Sequence, residues 1–341
     1  VVIYKAGRSQ RGARASMSHT GFFGGSYKVC QGAFRQAGLI DVDSLEELQA
    51  AAQALALQPE ARGPRLAMIS NGAGTMVQAM DLMEAYGLTM QDLEPETVAR
   101  LQAFYPGYYI VQNPVDVTGS ATSADYRLGI EALIEDPNVD IVSVATPHHW
   151  HALAAIWSMQ AGKDVYVEKP VSHNISEGRR IVEAARRYRR ICQAGVQCRS
   201  NPGVVDAIAY VLSGKLGRVK SARGVCHKRR RSIGPCGVYS APVGVNYDLW
   251  LGPAPVAPLT RPQLHYDWLW QWPYGSGDLG HEGFHQIDIA RWGLGKNRLS
   301  QRVISYGGRF GCDDAGKPAH SQVMIHDYGD AFLTFEVRTS E

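Results

Sequence analysis

Short apolar runs alternate with longer amphipathic stretches through the first two thirds of the chain, the pattern of doubly wound α/β units. VVIYK predicts a strand, a Gly/Ser-rich loop follows, and GSYKVCQGAFRQAG has helical spacing. LIDVDS and the helix LEELQAAAQALAL complete a first unit. Ser44 stands three residues before Glu47, a capping-box spacing that starts this second helix. The polar breaker QPEARGP places a boundary near Gly63.

A second unit opens with the strand RLAMIS, the turn NGAG and the helix TMVQAMDLMEAYG. It continues through LTMQDL, the helix PETVARLQAF, the loop NPVDVTG and the helix ADYRLGIEALIE. A third begins with the strand DIVSVATP and the helix HALAAIWSMQAG, followed by the strand DVYVEKP, the helix SEGRRIVEAARRY and the strand candidate RICQAGVQ. From about Lys220 the pattern changes to longer strands, aromatic-rich loops and one helix, HQIDIARWGLG, as in an α+β domain with a large mixed sheet. The expected units are therefore 1–63, 64–140, 141–220 and 221–341. Strand-like runs at both ends, VVIYK and AFLTFEV, give the expectation of cut termini.

Composition narrows the function classes. The chain has 341 residues, 45% of them apolar and 20% charged, an ordinary globular balance. A net charge of +3 is too small to point to a nucleic-acid or membrane partner. The basic runs RRYRR (186–190) and HKRRR (227–231) read as a solvated helix end and a solvated loop. Six scattered cysteines, without a CxxC pair, read as reduced thiols in a cytoplasmic setting. No apolar run approaches the roughly 18 residues of a membrane helix.

The front of the chain carries one kind of chemistry. His19 stands in ASMSHTGFFGGS, a loop expected to lead into a helix N-terminus. There an imidazole can carry a phosphoryl group while backbone N–H groups hold its oxygens. With YKAGRS, AFRQAGLIDVDSLEEL, ISNGAGTMVQAMD and NPVDVTG in order, residues 1–140 resemble a fragment of the ADP-forming acyl-CoA synthetases, relatives of succinyl-CoA synthetase. The resemblance implies a phosphohistidine at His19. Without a nucleotide-binding domain beside it, this part is expected to be a fragment.

The back carries another. Glu168, Lys169 and Pro170 end a parallel strand, where open α/β sheets place their ligands. VATPHHWHALAAIWSMQAGKDVYVEKPVSHN, SNPGV, GKLGRVKSARG, YDLWLGPAP and GDLGHEGFHQIDIARWGLG together resemble the Gfo/Idh/MocA family of NAD(P)-dependent oxidoreductases from about residue 136 to 341. This implies that residues 141–220 are the second half of a Rossmann-like domain. It also implies hydride transfer between NAD or NADP and a sugar- or polyol-like alcohol. Lys169 becomes the catalytic lysine and His285 the proton-transfer residue, a role suited to an imidazole. His281 occupies a position where many members have Asp, and Asp288, one turn beyond His285, is placed to orient it. Thr146, Pro147 and His149 are expected to line the cofactor, with Glu168, Lys169 and Pro170.

The family's Gly-rich opening turn does not precede DIVSVATP. Its nearest substitute is GAGTMV, with Gly72 and Gly74 in place, Val77 at the third glycine, and Asp92 about where a ribose-binding acid is expected. Val77 is expected to crowd the helix–strand contact, so cofactor binding is expected to be impaired. The aromatic run HYDWLWQWPY offers stacking faces for a sugar, a domain core or a subunit contact; self-association is expected through the C-terminal sheet. HEGFH also spells HExxH, but Gly283 weakens a helix there and no third ligand follows at a recognised spacing, so no metal is expected. Because both parents are parallel α/β domains, residues 64–140 and 141–220 are expected to share one sheet. An inactive fusion product is the remaining alternative.

Overall fold

The computed structural model describes all residues except 21–25, 60, 62, 71–72, 118–122, 244, 312 and 339–341, together with all side chains of these residues and of 16–20, 46, 73, 75, 84 and 123–124. The chain divides into two compact units, Val1–Glu60 and Ala61–Glu341.

The first unit contains β1 (Val2–Ile3), α1 (Gln10–Thr20), α2 (Tyr27–Gln36), β2 (Ile40–Asp41) and α3 (Leu45–Leu57). β1 and β2 pair in parallel. The expected cap on α3 is present: Glu47 N donates to Ser44 Oγ at 3.0 Å, and the Glu47 carboxylate accepts from Asp43 N at 2.6 Å. His19 corrects an expectation, because α1 runs through it where a loop was expected. Its side chain lies outside the described residues.

The second unit opens with β3 (Leu66–Ser70), α4 (Ala73–Met83), α5 (Pro95–Phe104), β4 (Val115–Asp116) and α6 (Ser123–Glu135). It continues with β5 (Ile141–Val144), α7 (His148–Gln160), β6 (Asp164–Glu168), α8 (Ile175–Tyr188), β7 (Cys192–Gly195) and α9 (Pro202–Leu212). The strands form one parallel sheet in the order β4-β3-β5-β6-β7. Leu66, Ala67 and Met68 pair with Ile141, Val142 and Ser143, so the sheet is continuous across Asp140. Residues 64–140 and 141–220 share it, as the apolar patterning on either side of the join requires.

Alternation divides this sheet into two faces. Ala67, Ile69, Val142, Val144, Val165 and Val167 face one core, which α5, α6, α7 and α8 cover. α6 comes close because residue 129 is glycine: a Cβ there would overlap Ile69 and the Tyr105 hydroxyl. On the other face α4 sets Met76 and Met83 against Met68. Next to it is a hollow of about 550 Å3 lined by Met68, Met76, Leu88, Ile141, Tyr166 and Ile191.

The remainder is α+β. β8 (Ser221–His227), α10 (Tyr247–Leu251), α11 (Gly277–His281), α12 (Gly283–Gly293), β9 (Arg302–Gly308), β10 (Ser321–Asp327) and β11 (Phe332–Arg338) follow in order. They form a mixed four-stranded sheet, β8-β11-β10-β9, in which only β8 and β11 run parallel. Leu333, Phe335, Val337 and Cys226 turn inward with Ile287 and Ala290 of α12. No helix among the described residues is long and apolar enough to cross a membrane.

Candidate functional site

A parallel sheet places its ligands where neighbouring connections diverge at the carboxyl ends of the strands. That point lies between β3 and β5. The chain leaves β3 into α4 on the Met68 face and reaches β4 on one side. It leaves β5 into α7 on the opposite face and reaches β6 on the other side. Thr146 and Pro147 follow β5, Lys169 and Pro170 follow β6, and all four stand at this edge.

Lys169 Nζ donates to the backbone oxygen of His281 at 2.8 Å, joining the parallel sheet to α11. Burial lowers the pKa of this ammonium, aided by Lys228, against opposing pulls from Glu282 and Glu168. Its charge reaches His285, whose pKa is lowered by burial first and by Lys169 second. His285 Nδ1 is buried without a partner.

His281 has a partner the sequence did not suggest. Its Nδ1 lies 3.2 Å from His148 Nε2, with the rings stacked at 5.2 Å. Burial pushes His281 down to about 4 and His148 to about 2, so both are neutral near pH 7. His281 Nε2 lies 3.7 Å from a Glu282 oxygen. The arrangement that avoids opposing lone pairs has His148 Nε2–H donating to His281 Nδ1, with the His281 Nε2 proton facing Glu282. Glu282 in turn pairs with Lys228 at 2.5 Å.

Several expected roles change. Asp288 does not orient His285; both its oxygens accept from Arg199, at 2.6 and 2.8 Å. A bidentate guanidinium is a stronger partner for a carboxylate than a neutral imidazole. His149 does not line the strand ends. Its Nε2 contacts Trp250 O at 2.9 Å, and its ring packs against Trp250 and Tyr274. The aromatic run is largely core: Leu269, Trp270 and Tyr274 are buried and Trp268 meets His148 edge-on, while Tyr266 and Trp272 remain exposed.

The Gly-rich turn is also revised. Gly72 lies outside the described residues. Gly74 is in the first turn of α4, where a Cβ would meet no atom of the described residues within 4 Å. Val77 crowds nothing, being 56% exposed, because α4 turns Met76 and Met83 to the sheet instead. Asp92 is at the wrong end of the sheet. Its backbone oxygen accepts from Asn138 Nδ2 at 3.4 Å, at the amino end of β5. HEGFH is no single helical face: α11 ends at His281 and α12 begins at Gly283. Among the described residues no group of three or more His, Cys, Asp or Glu could hold a metal.

Sequence reasoning missed three features. His151, 1% exposed, lies with Nδ1 2.7 Å from Pro170 O and Nε2 2.6 Å from Thr146 O, tying the two loops together. Lys228 and Arg230 of the basic run are not merely solvated: Arg230 grips buried Asp278 at 2.5 and 3.0 Å, as Lys228 grips Glu282. β4 was read as loop.

Comparison with known proteins finds two kinds of relative. Residues 1–55 match the succinyl-CoA ligase-like flavodoxin domain. Residues 99–196 match the NAD-binding Rossmann fold of the Gfo/Idh/MocA oxidoreductase family, and 235–326 its C-terminal α/β domain. Different parts of the chain are thus similar to two families. The Rossmann match begins ahead of Asp136, inside the stretch that also reads as synthetase. Acetate–CoA ligase [ADP-forming] II subunit alpha of Pyrococcus furiosus is 31% identical over 223 residues, 62% of this chain and 47% of that protein. Levoglucosan dehydrogenase of Pseudarthrobacter phenanthrenivorans is 29% identical over 192 residues, 54% of this chain and 42% of that protein. The chain spans less than half the length of these curated relatives. The WlbA dehydrogenase of Bordetella pertussis, solved with NADH and UDP-GlcNAcA, is similar to this chain in fold at a TM-score of 0.55. It is 18% identical, over 82% of this chain and 71% of that one.

Proposed function

We propose that this chain is an oxidoreductase that moves a hydride between an NAD(P)-type dinucleotide and a sugar- or polyol-like alcohol. The observation that carries the reading is the half-buried Lys169 ammonium held on the His281 carbonyl and electrostatically coupled to a His285 that burial keeps neutral. The residues present fit the nicotinamide end of such a cofactor. Thr146 Oγ1 is buried without a partner at the carboxyl end of β5, and His151 ties its loop to the turn that carries Lys169. When bound, the cofactor supplies the hydride acceptor or donor. Lys169 orients the substrate hydroxyl and favours its deprotonation, and His285, neutral at pH 7, accepts the proton.

Levoglucosan dehydrogenase, solved with NADH and levoglucosan, and the WlbA complex support a carbohydrate-like substrate class. The sheet face turned away from α12 exposes Ile304, Tyr306, Val323 and Phe332, which supports self-association there. The free thiols of Cys30, Cys192, Cys198, Cys226 and Cys236 support a cytoplasmic setting. Titration of the full chain with NADH, followed by nucleotide fluorescence, tests the reading; no saturable binding below millimolar removes it. A second reading, phosphoryl transfer at His19, is favoured by the match over residues 1–55. It predicts a phosphate label at His19 from acyl phosphate or nucleotide, where a dehydrogenase predicts none.

A further inference from the structure

The C-terminal sheet is covered on one face by α12, which packs on β8 and β11. β10 lies beyond them. Alternation turns its Met324 and His326 to the face that carries α12, while Val323 and Ile325 point the other way and are exposed. Beside α12 this leaves a cavity of about 460 Å3. α12 lines it with Phe284, Ile287, Asp288 and Arg291, the spacing of one helical face, and β10 lines it with Met324 and His326. α11 and the turn that follows Lys169 close the remaining side, and all of these elements belong to the unit Ala61–Glu341. Neither Lys169 nor His285 is part of its wall.

The polar groups of this wall are donors without acceptors. Arg291 spends Nη2 on the Arg298 carbonyl at 3.3 Å, and its Nε is buried without a partner. Asp288, the one acid among the described residues that line the cavity, does not neutralise it, because both Asp288 oxygens accept from Arg199. His326 Nδ1 lies 3.1 Å from Ser300 Oγ, and its Nε2 is buried without a partner. Burial first and the Arg291 charge second lower the His326 pKa, so the ring is neutral near pH 7. With the Ser300 hydroxyl donating to Nδ1, the ring proton stands on Nε2. Buried donors are ordinarily paired, and a guanidinium beside an imidazole N–H suits one carboxylate. The rest of the wall is apolar.

We propose that this cavity binds a small monocarboxylate with an apolar body, the carboxylate between Arg291 and His326 and the body against Phe284, Ile287 and Met324. One unneutralised guanidinium matches a single negative charge, and the apolar side chains offer a phosphate or a bare polyol nothing to bond. The inference does not rest on the oxidoreductase reading, and its test uses no dinucleotide, so the two fail separately. The test is calorimetric titration of the full chain with phenylacetate, isocaproate, phenylacetamide and inorganic phosphate, repeated on Arg291→Met and His326→Phe.

At least one of the two carboxylates is expected to saturate with a Kd of about 1 mM or tighter, the range open to so small a ligand in a formed pocket. Phenylacetamide, which keeps the shape and loses the charge, is expected to bind at least about tenfold more weakly than phenylacetate, and so is inorganic phosphate, which has charge and no apolar body. Arg291→Met is expected to weaken the carboxylate by about ten- to a hundredfold and His326→Phe by about three- to tenfold. Failure of both carboxylates to saturate the wild-type chain overturns the proposal, and so does carboxylate binding that Arg291→Met leaves intact. Phosphate binding as tightly as the carboxylates overturns the assigned class. Where Arg291→Met does not fold, the wild-type chain decides: phenylacetamide binding as tightly as phenylacetate overturns the proposal.

Discussion

The continuous sheet makes a thermodynamic prediction that two independently folded halves do not. Leu133 lies in α6, ahead of the join, and is 0% exposed in the core shared with Val142, Val144 and Val165 behind it. Leu133→Ala removes that contact and leaves a cavity, at a cost of about 3 kcal/mol. The unit Ala61–Glu341 has about 280 residues. At about 2.1 cal/mol/K per residue its unfolding entropy near the midpoint is about 0.6 kcal/mol/K, so the midpoint should fall by about 5 °C. All seven tryptophans lie behind the join, from Trp150 to Trp292. Their fluorescence therefore reports only on residues beyond Asp140, while the perturbation is made ahead of it. Thermal melts followed by tryptophan fluorescence and by far-UV circular dichroism should shift together and coincide, as one cooperative transition requires. A tryptophan midpoint within 1 °C of the wild-type value, with a separate early loss of helix signal, would refute a shared core.

Lys169→Ala should lower turnover with a polyol substrate by roughly 10²- to 10⁴-fold while NADH titration still saturates, since the lysine acts on the substrate hydroxyl. Unfolded histidines titrate near 6.5, whereas burial holds His149 and His281 down to about 4 and His148 to about 2. The folded state then binds fewer protons, so stability should be fully present above pH 6.5 and fall as pH drops toward 4. Melting midpoints between pH 7.5 and 5 measure this, and a flat profile contradicts it. His151→Leu removes the ring between the Thr146 and Pro170 carbonyls, one of which accepts the single N–H of a neutral imidazole. It should cost about 2–4 kcal/mol in denaturant melts, and a loss under 1 kcal/mol would show that the bridge carries little.

What the sequence disclosed was local. PETVARLQAF is α5 to the residue, and the cap before α3 could be read from Ser44 and Glu47 alone. Lys169 and His285 stand out in the sequence by motifs at a strand end and a helix start. What it concealed was long-range. β4 has two residues after a proline, and its pairing comes from the distant Ile69 and Ser70 on one side and from Ile110 on the other. His151 resembles any helical histidine until the turn after β6 folds against it. Asp288 looked like a partner for His285 on helical spacing alone, but Arg199, 89 residues away, has the better geometry. Asp92 had the expected spacing from its glycines and the wrong end of the sheet.

A parallel sheet demands little of a neighbouring strand: an apolar alternation, a matching direction and a right-handed crossover. Here it also has a specific clamp. Arg65 at the start of the synthetase-side strand donates Nε and Nη2 to the Asp140 carboxylate at 2.8 Å each. Its carbonyl accepts from the backbone N–H groups of Asp140 and Ile141 at 2.9 and 3.0 Å. The guanidinium holds the Asp140 carboxyl below its ordinary range. A Cβ at residue 63 would overlap that carboxylate, so the glycine ahead of the strand makes room for a residue beyond the join. Once β3 is held beside β5 in this register, the crevice at their carboxyl ends follows from α4 and α7 leaving on opposite faces. That crevice is a property of the sheet shared by residues 64–140 and 141–220.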